Sequence, residues 1–325
     1  MNDFNPPYLL RNPHTQSILN SVKLRRPIVI WRSRGMRNAA TSHILDCDKG
    51  VRLQGYFSGH NPGKNDLCIL IHGWMGSSES SYLLSAAGTL WDKGFDVFRL
   101  NMRDHGPTHH LNKGLFHSCR IDEVVDAVKR IQEIFPHNRL FLAGFSLGGN
   151  FALRVAARAP AAGIKLEKVV AICPVLYPPN TLHAMEDGLH IYHLYFMKKW
   201  RDSLRIKHRH FPHLKALNRI SGFKSISEMT DYFVASFTDF PDLMTYLKGY
   251  AITGQTLENL QTPSVIISSI DDPIIPAKDL KNLASSDCLK IITTQYGGHC
   301  GFLSNFRLSS WADQQLKELF QYQAL

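Results

Sequence analysis

A serine flanked at two-residue spacing by glycines stands at Gly144-Phe145-Ser146-Leu147-Gly148, with Gly149 next. A serine on a sharp turn needs small residues two places before and after it, so that the flanking strand and helix can approach. That arrangement is a nucleophile elbow, and the chemistry it offers is acyl transfer through a covalent serine ester. A hydroxyl is a poor nucleophile unless a base takes its proton and an acid orients the base. On such elbows the order along the chain is Ser, then Asp or Glu, then His. Downstream of Ser146, Asp271-Asp272-Pro273 ends one apolar run, and Gly297-Gly298-His299-Cys300-Gly301 follows the next. Chain order and strand-end position single out His299 among sixteen histidines. Spacing leaves Asp271 and Asp272 open: one orients the base while the other faces solvent or caps the loop. A developing oxyanion also needs donors. His72-Gly73-Trp74-Met75-Gly76 follows another apolar run and offers the backbone N–H of Trp74; the N–H of Leu147, just after the nucleophile, is the second. Arg103-Asp104-His105-Gly106 ends a further strand and is read as the site floor, with no catalytic part for His105.

These residues must be placed by alternating strands and helices. Strand-like runs span 41–48 and 51–58, joined by a hairpin turn at Asp48-Lys49-Gly50. Leu67–Ile71 is a buried strand, Ser81–Lys93 a helix closed by Gly94, and Phe95–Leu100 the next strand. Ile121, Val124, Val125, Val128, Ile131 and Phe135 recur at helical spacing. The elbow strand and helix follow, then strands at 168–173, 264–268 and 290–294, and a closing helix from about Leu308 to Tyr322. Alternation of this kind predicts an α/β fold with a mostly parallel sheet covered on both faces. The residues before about 37 mix prolines, basic residues and isolated apolar ones, and are expected to wrap the surface. Residues 176–250 interrupt the alternation with aromatics at irregular helical spacing. They are expected to form a helical cap above the C-terminal edge of the sheet, within a single domain spanning 1–325.

The chain of 325 residues carries a net charge of +10. Between Lys198 and Lys224, nine lysines and arginines face the single acid Asp202; a second basic stretch runs from Lys23 to Arg37. The plainer reading is a solvated basic face, the sharper one peripheral contact with anionic membrane surfaces or acidic substrates. No nucleic-acid recognition motif accompanies the charge, so no nucleic-acid partner is expected. No signal peptide and no apolar run of about 18 residues is seen. The six cysteines are scattered without C-x-x-C spacing, which suggests buried free thiols in a reducing, cytoplasmic compartment. Histidines at 109, 110, 117, 208, 210 and 213 are set against the defined spacing and closing partners of a zinc site; His105, His109 and His110 are close enough to test as ligands, the plainer reading being a loop of solvated histidines, and no phosphate or dinucleotide loop is found. Neither metal nor cofactor is expected.

Taken together, these segments resemble the YheT-like family of α/β-hydrolases, nearly end to end. The resemblance is carried by Phe4-Asn5-Pro6 with Leu10, Asn12 and His14-Thr15-Gln16, the last in place of the family's His-x-Gln-Thr. It extends through His72-Gly73 with Gly76, Ser77, Ser80 and Tyr82, through Phe116-His117-Ser118, and through Gly144–Asn150, Asp271-Asp272-Pro273 and Gly297–Phe302. Arg103-Asp104-His105-Gly106 departs from the family's usual Arg-Gly pattern. The resemblance implies an α/β-hydrolase fold and metal-free hydrolysis of carboxylic esters, including lipid-like ones. It also implies that the acid beside the proline, Asp272, is the triad member with Ser146 and His299. The same triad would serve an acyltransferase that passes the acyl group to an alcohol. A ligand-binding protein without catalysis is the reading from another class, and the intact Ser146, Asp272 and His299 speak against it.

Overall fold

The computed structural model describes residues 4–21, 24–60 and 65–321. Its centre is an eight-stranded sheet: β1 (Ala40–Asp46), β2 (Arg52–Ser58), β3 (Leu67–Ile71), β4 (Asp96–Asn101), β5 (Leu140–Phe145), β6 (Leu166–Ile172), β7 (Ser264–Ser269) and β8 (Leu289–Thr294). The spatial order is β1-β2-β4-β3-β5-β6-β7-β8. β1 and β2 pair antiparallel, as does β2 with β4; every other pairing is parallel. All residues of β3, β4, β5 and β7 are buried, as in strands covered on both faces. The first hairpin turns at Lys49 and Gly50, both with positive φ.

On one face lie α4 (Ser81–Trp91), α11 (Trp311–Gln321) and three helices before the sheet, α1 (Pro13–Ser21), α2 (Arg26–Arg32) and α3 (Arg34–Asn38). On the other lie α5 (Ile121–Ile134) and α6 (Leu147–Ala162). The apolar residues of α5 repeat every three or four positions, so one stripe meets the sheet and the other face stays wet. Gly94 and Gly163 close α4 and α6 with positive φ, where a side chain would be strained. The closing helix thus begins a turn later than its apolar spacing suggests, and Tyr322 lies outside the described residues.

Between β6 and β7 the chain leaves the sheet for α7 (Pro178–Asp187), α8 (His190–His210), a 3-10 segment (Lys215–Gly222), α9 (Ile226–Phe237) and α10 (Leu243–Lys248). This is where the alternation breaks in the sequence. Met197, Trp200, Met229 and Phe233 join the same apolar core as α5 and α6, so the excursion is packed onto the sheet layer. One polar bolt fastens it. Lys207 of α8 is fully buried and donates to Asp104 Oδ1 (2.7 Å) and to the carbonyls of Asn112 (2.5 Å) and Gly114 (3.1 Å). Removing one partner of such a pair strands a buried charge, at a cost of about 3–5 kcal/mol. Lys207 therefore does not belong to the solvated basic face, although Lys198, Lys199, Arg205, Arg209, Lys215, Arg219 and Lys224 do.

The segment before β1 does not merely wrap the surface. Arg25 is buried against Ser85 Oγ (2.8 Å) and Asp313 (3.8 Å), and Arg37 reaches Glu79 (3.6 Å). Lys23 of this basic stretch lies outside the described residues. Among the described residues, no helix is long and apolar enough to cross a membrane.

Candidate active site

The parallel strands end at one edge of the sheet, and each delivers a loop there: β3 gives His72–Gly76, β5 gives Ser146, β6 gives Cys173, β7 gives Asp271 and Asp272, and β8 gives His299. This C-terminal edge is where open α/β sheets hold ligands. Ser146 sits at φ 54°, ψ −120°, outside the usual space for a residue with a side chain, directly before α6. The elbow glycines are steric necessities. A Cβ on Gly144 would stand 2.1 Å from Gly148 O, and one on Gly148 would stand 2.3 Å from Ile71 O. The strain is held by Ser146 N–H donating to Ile172 O (2.8 Å) and Ser146 O accepting from Asn150 N–H (3.1 Å).

Ser146 Oγ–H donates to His299 Nε2 at 2.9 Å, and His299 Nδ1–H donates to Asp272 Oδ2 at 2.8 Å. The second carboxylate oxygen of Asp272 accepts from the N–H groups of Ile274 (2.8 Å) and Ile275 (2.9 Å). Asp271 turns the other way: its Oδ1 accepts Gly298 N–H (2.9 Å) and so holds the histidine loop. The structure thus separates two acids that spacing alone cannot. Burial disfavours a charged His299, but the Asp272 carboxylate and the neighbouring Cys300 sulfur together outweigh it and hold the imidazole pKa well above its ordinary value. That favours the imidazolium that forms when the serine proton moves. Burial instead raises the pKa of Asp271.

The His299 loop leans on α1. Its N–H donates to Ser17 Oγ (2.8 Å), Asn20 Nδ2 donates to Cys300 O (2.6 Å), and Gln16 Nε2 donates to Leu303 O (3.1 Å) while its Oε1 accepts Leu303 N–H (2.7 Å). Gly298 has φ 54°, and a Cβ there would stand 2.3 Å from Pro13 O. Residues expected to wrap the surface are therefore the prop beneath the histidine.

The loop after β3 passes close to the serine: a Cβ on Gly73 would lie 3.2 Å from Ser146 Cβ. Three side chains shape it. Tyr82 Oη accepts Gly73 N–H (2.9 Å), His105 Nε2 accepts Met75 N–H (3.2 Å), and His72 Nδ1–H donates to Gly73 O (2.8 Å). An accepting ring nitrogen must be bare, and His72 Nε2 likewise accepts Met102 N–H (3.2 Å), so both histidines are neutral with the proton on Nδ1. Burial agrees, pushing His72 down to about 4 and His105 well below its ordinary pKa. Between the two engaged amides, Trp74 N–H has no acceptor among the described residues, and neither has Leu147 N–H. His105 therefore supports the loop after β3, and with Asp104 and Gly106 it also lines the cavity over Ser146, as expected of the site floor. No motif signals it, because its partner lies thirty residues back.

A cavity of about 1200 Å³ opens over Ser146. Its apolar walls come from Trp74 and Met75 of the β3 loop and from Tyr195, Phe196, Trp200 and Phe233 of the excursion. Tyr195, Phe196 and Phe233 are among the aromatics of the 176–250 excursion that face the cavity. Tyr192 instead turns to His14 Nδ1 (3.0 Å), Leu194 is exposed, and Phe237 packs behind Phe233. Trp200 escapes notice by residue type alone, yet Phe196, Trp200, Ser203 and Lys207 share one helical stripe facing the sheet. The histidines weighed for zinc do not converge: His109 Nε2 meets Ser203 Oγ (2.8 Å), and His105 is spent on backbone. Among the described residues, the His/Cys set whose ligand atoms gather is Cys173, His299 and Cys300.

Strand order, elbow and strand-end loops define the class, and the chain belongs to the α/β-hydrolase fold family, whose sequence model matches residues 67–306. Its relatives include an abhydrolase domain-containing protein of Dictyostelium discoideum, 23% identical over 97% of this chain and 80% of that protein. Phospholipase ABHD3 of Bos taurus is 21% identical over 94% of this chain and 75% of its own length. YheT of Escherichia coli (strain K12) is 20% identical over 77% and 75%, in keeping with the resemblance drawn from the motifs. Among solved structures, the Pyrococcus furiosus esterase Pf2001 superposes with a TM-score of 0.58 over 98% of both chains at 14% identity, a likeness of fold.

Proposed function

We propose that this protein is a serine hydrolase of carboxylic esters, short- to medium-chain or lipid-like, working through an acyl-enzyme. The observation that carries this reading is the hydrogen-bonded series Ser146–His299–Asp272 at the foot of an apolar cavity. His299 takes the proton of Ser146 as Oγ attacks the ester carbonyl, and Asp272 holds the ring in the accepting tautomer. The oxyanion is received by the N–H groups of Trp74 and Leu147, which have no acceptor among the described residues, the latter at the positive end of α6. His299 then protonates the leaving alcohol, and water repeats the sequence to release the acid. Names of relatives that include phospholipase and esterase support ester chemistry.

In this reading, 176–250 is the cap of a single α/β-hydrolase domain and supplies the acyl pocket. Apolar walls distinguish chain length at about 0.8 kcal/mol per buried methylene, or roughly fourfold per CH₂. Across p-nitrophenyl esters of graded length, kcat/KM should climb over several methylenes and then level off where the pocket ends. A flat profile would remove the acyl pocket. The six unpaired cysteines, four of them buried, support a reducing compartment such as the cytoplasm.

Lys198 and Lys199 stand at the cavity and continue into the exposed basic surface of Arg205, Arg209, Lys215 and Arg219. This surface is proposed to meet anionic lipid. Sedimentation with vesicles should increase with phosphatidylserine content and decline with added salt, since exposed charges are screened within about 10 Å at 0.1 M. Binding indifferent to both would leave the plainer solvated face.

A further inference from the structure

Three ligands of the kind zinc prefers meet at the end of β6 and the His299 loop. The sulfurs of Cys173 and Cys300 and a ring nitrogen of His299 all lie within 4.8 Å of one another. Cys300 Sγ is 3.9 Å from His299 Nε2, the nitrogen that faces Ser146. Both cysteines are held at positive φ, 44° and 58°, directly beyond a strand end and beside the histidine. Cys173 Sγ accepts the Cys300 N–H (3.4 Å), and the other contacts of the two thiols are long: Cys173 Sγ reaches Gly298 O at 3.8 Å and Cys300 Sγ reaches Ile172 O at 3.7 Å. Neither sulfur is committed to a disulfide.

We infer that Cys173, Cys300 and His299 Nε2 form a binding site for a thiophilic divalent cation, zinc above all, whose occupation switches the enzyme off. Tetrahedral zinc at about 2.3 Å from sulfur and 2.0–2.1 Å from nitrogen sets its ligand atoms roughly 3.5–3.8 Å apart. The three atoms, within 4.8 Å of one another, need close by no more than about 1.3 Å to reach that spacing. A metal-ligating imidazole usually donates its other N–H to a carboxylate, which fixes the tautomer and raises the basicity of the ligand nitrogen. Asp272 already does this for His299 at 2.8 Å. Entry is through the cavity, which reaches Ser146, His299 and Cys300. On binding, each thiol gives its proton to solvent and becomes a thiolate, so two negative charges balance the dication. The imidazole contributes its lone pair. Ser146 Oγ, 2.9 Å from the same nitrogen, or a water completes four ligands. No oxidant or reductant is consumed. The lone pair spent on the metal is the one that would accept the serine proton, so hydrolysis stops while the cation is bound. That consequence rests on the serine-hydrolase reading; the site itself does not.

The test uses the full chain, freed of metal, with Co²⁺ and Zn²⁺ as probes. One equivalent of Co²⁺ should produce strong thiolate-to-cobalt charge-transfer absorption in the near ultraviolet, together with visible bands of a tetrahedral ion. Zn²⁺ should displace both. The same spectrum should appear in Ser146→Ala, which cannot turn over, so the metal site is judged apart from the hydrolase reading. Cys300→Ser and Cys173→Ser should each weaken cobalt binding by more than the roughly 10–100-fold that loss of an outer-shell partner costs. Zn²⁺ should inhibit ester hydrolysis by the unaltered chain, with recovery on chelation. Cys173→Ser should hydrolyse esters and resist that inhibition. Two results would overturn the inference. One is stoichiometric cobalt without charge-transfer intensity in the unaltered chain. The other is zinc inhibition at the same midpoint in Cys173→Ser, which would trace the effect to other histidines.

Discussion

Replacing Ser146 by alanine is expected to lower ester turnover by about 10⁴-fold or more, equivalent to about 5.5 kcal/mol of lost transition-state stabilisation. The reason lies in the geometry. Ser146 Oγ is the atom His299 can activate, at 2.9 Å, beside Trp74 and Leu147 amides left without acceptors among the described residues. Alanine fits the same backbone, since the strain at φ 54° belongs to the turn and its hydrogen bonds, which survive the change. The fold and melting temperature should therefore stay close to those of the unaltered chain. A fluorophosphonate probe should label the unaltered protein and leave Ser146→Ala unlabelled. Equal labelling of both would place the nucleophile elsewhere and end the serine-hydrolase reading as stated.

The second large effect separates two neighbouring acids. Asp272→Asn should reduce kcat by roughly 10⁴-fold, as the comparable change does in other serine triads. Asparagine can still accept the Ile274 and Ile275 N–H groups through its oxygen, so the loop holds. What changes is the atom facing His299 Nδ1: an amide N–H₂ cannot accept the ring proton. The imidazole then keeps its proton on Nε2, where it cannot take one from Ser146. KM and thermal stability should move little, which distinguishes a positioning role from a merely structural one. Asp271→Asn should be mild by comparison, because its carbonyl oxygen still accepts Gly298 N–H. Combined with Ser146→Ala, Asp272→Asn should add almost nothing, since residues that act as a unit are not additive. If Asp271→Asn were the crippling change and Asp272→Asn the mild one, the role drawn from Asp272 would be wrong.

What the amino-acid order alone determined is whatever local sterics or periodicity dictate. Gly144 and Gly148 announce the elbow because no side chain fits between strand and helix, and that demand is met within five residues. Apolar runs at Leu67–Ile71 and Ser264–Ser268 mark buried parallel strands. The break in alternation between β6 and β7 marks the helical excursion, and strand-end position picks out His299. Tertiary structure decided everything that depends on contacts far apart in the chain. Spacing cannot say which of Asp271 and Asp272 faces His299; the resemblance pointed to Asp272, and the path of the histidine loop sets the direction each carboxylate takes. Nothing in Pro13–Ser21 reveals that Ser17 holds the amide of His299 from 282 residues away. Lys207 looks like one more surface lysine until Asp104, 103 residues earlier, draws it inside. The same holds for His105 beneath Met75, and for Cys173 and Cys300, whose sulfurs meet only because β6 and the loop after β8 end at the same edge of the sheet. A residue's type states what it can bond to. Which partner it receives is set by packing the whole chain, where each buried polar atom must find a group already brought there by the apolar core.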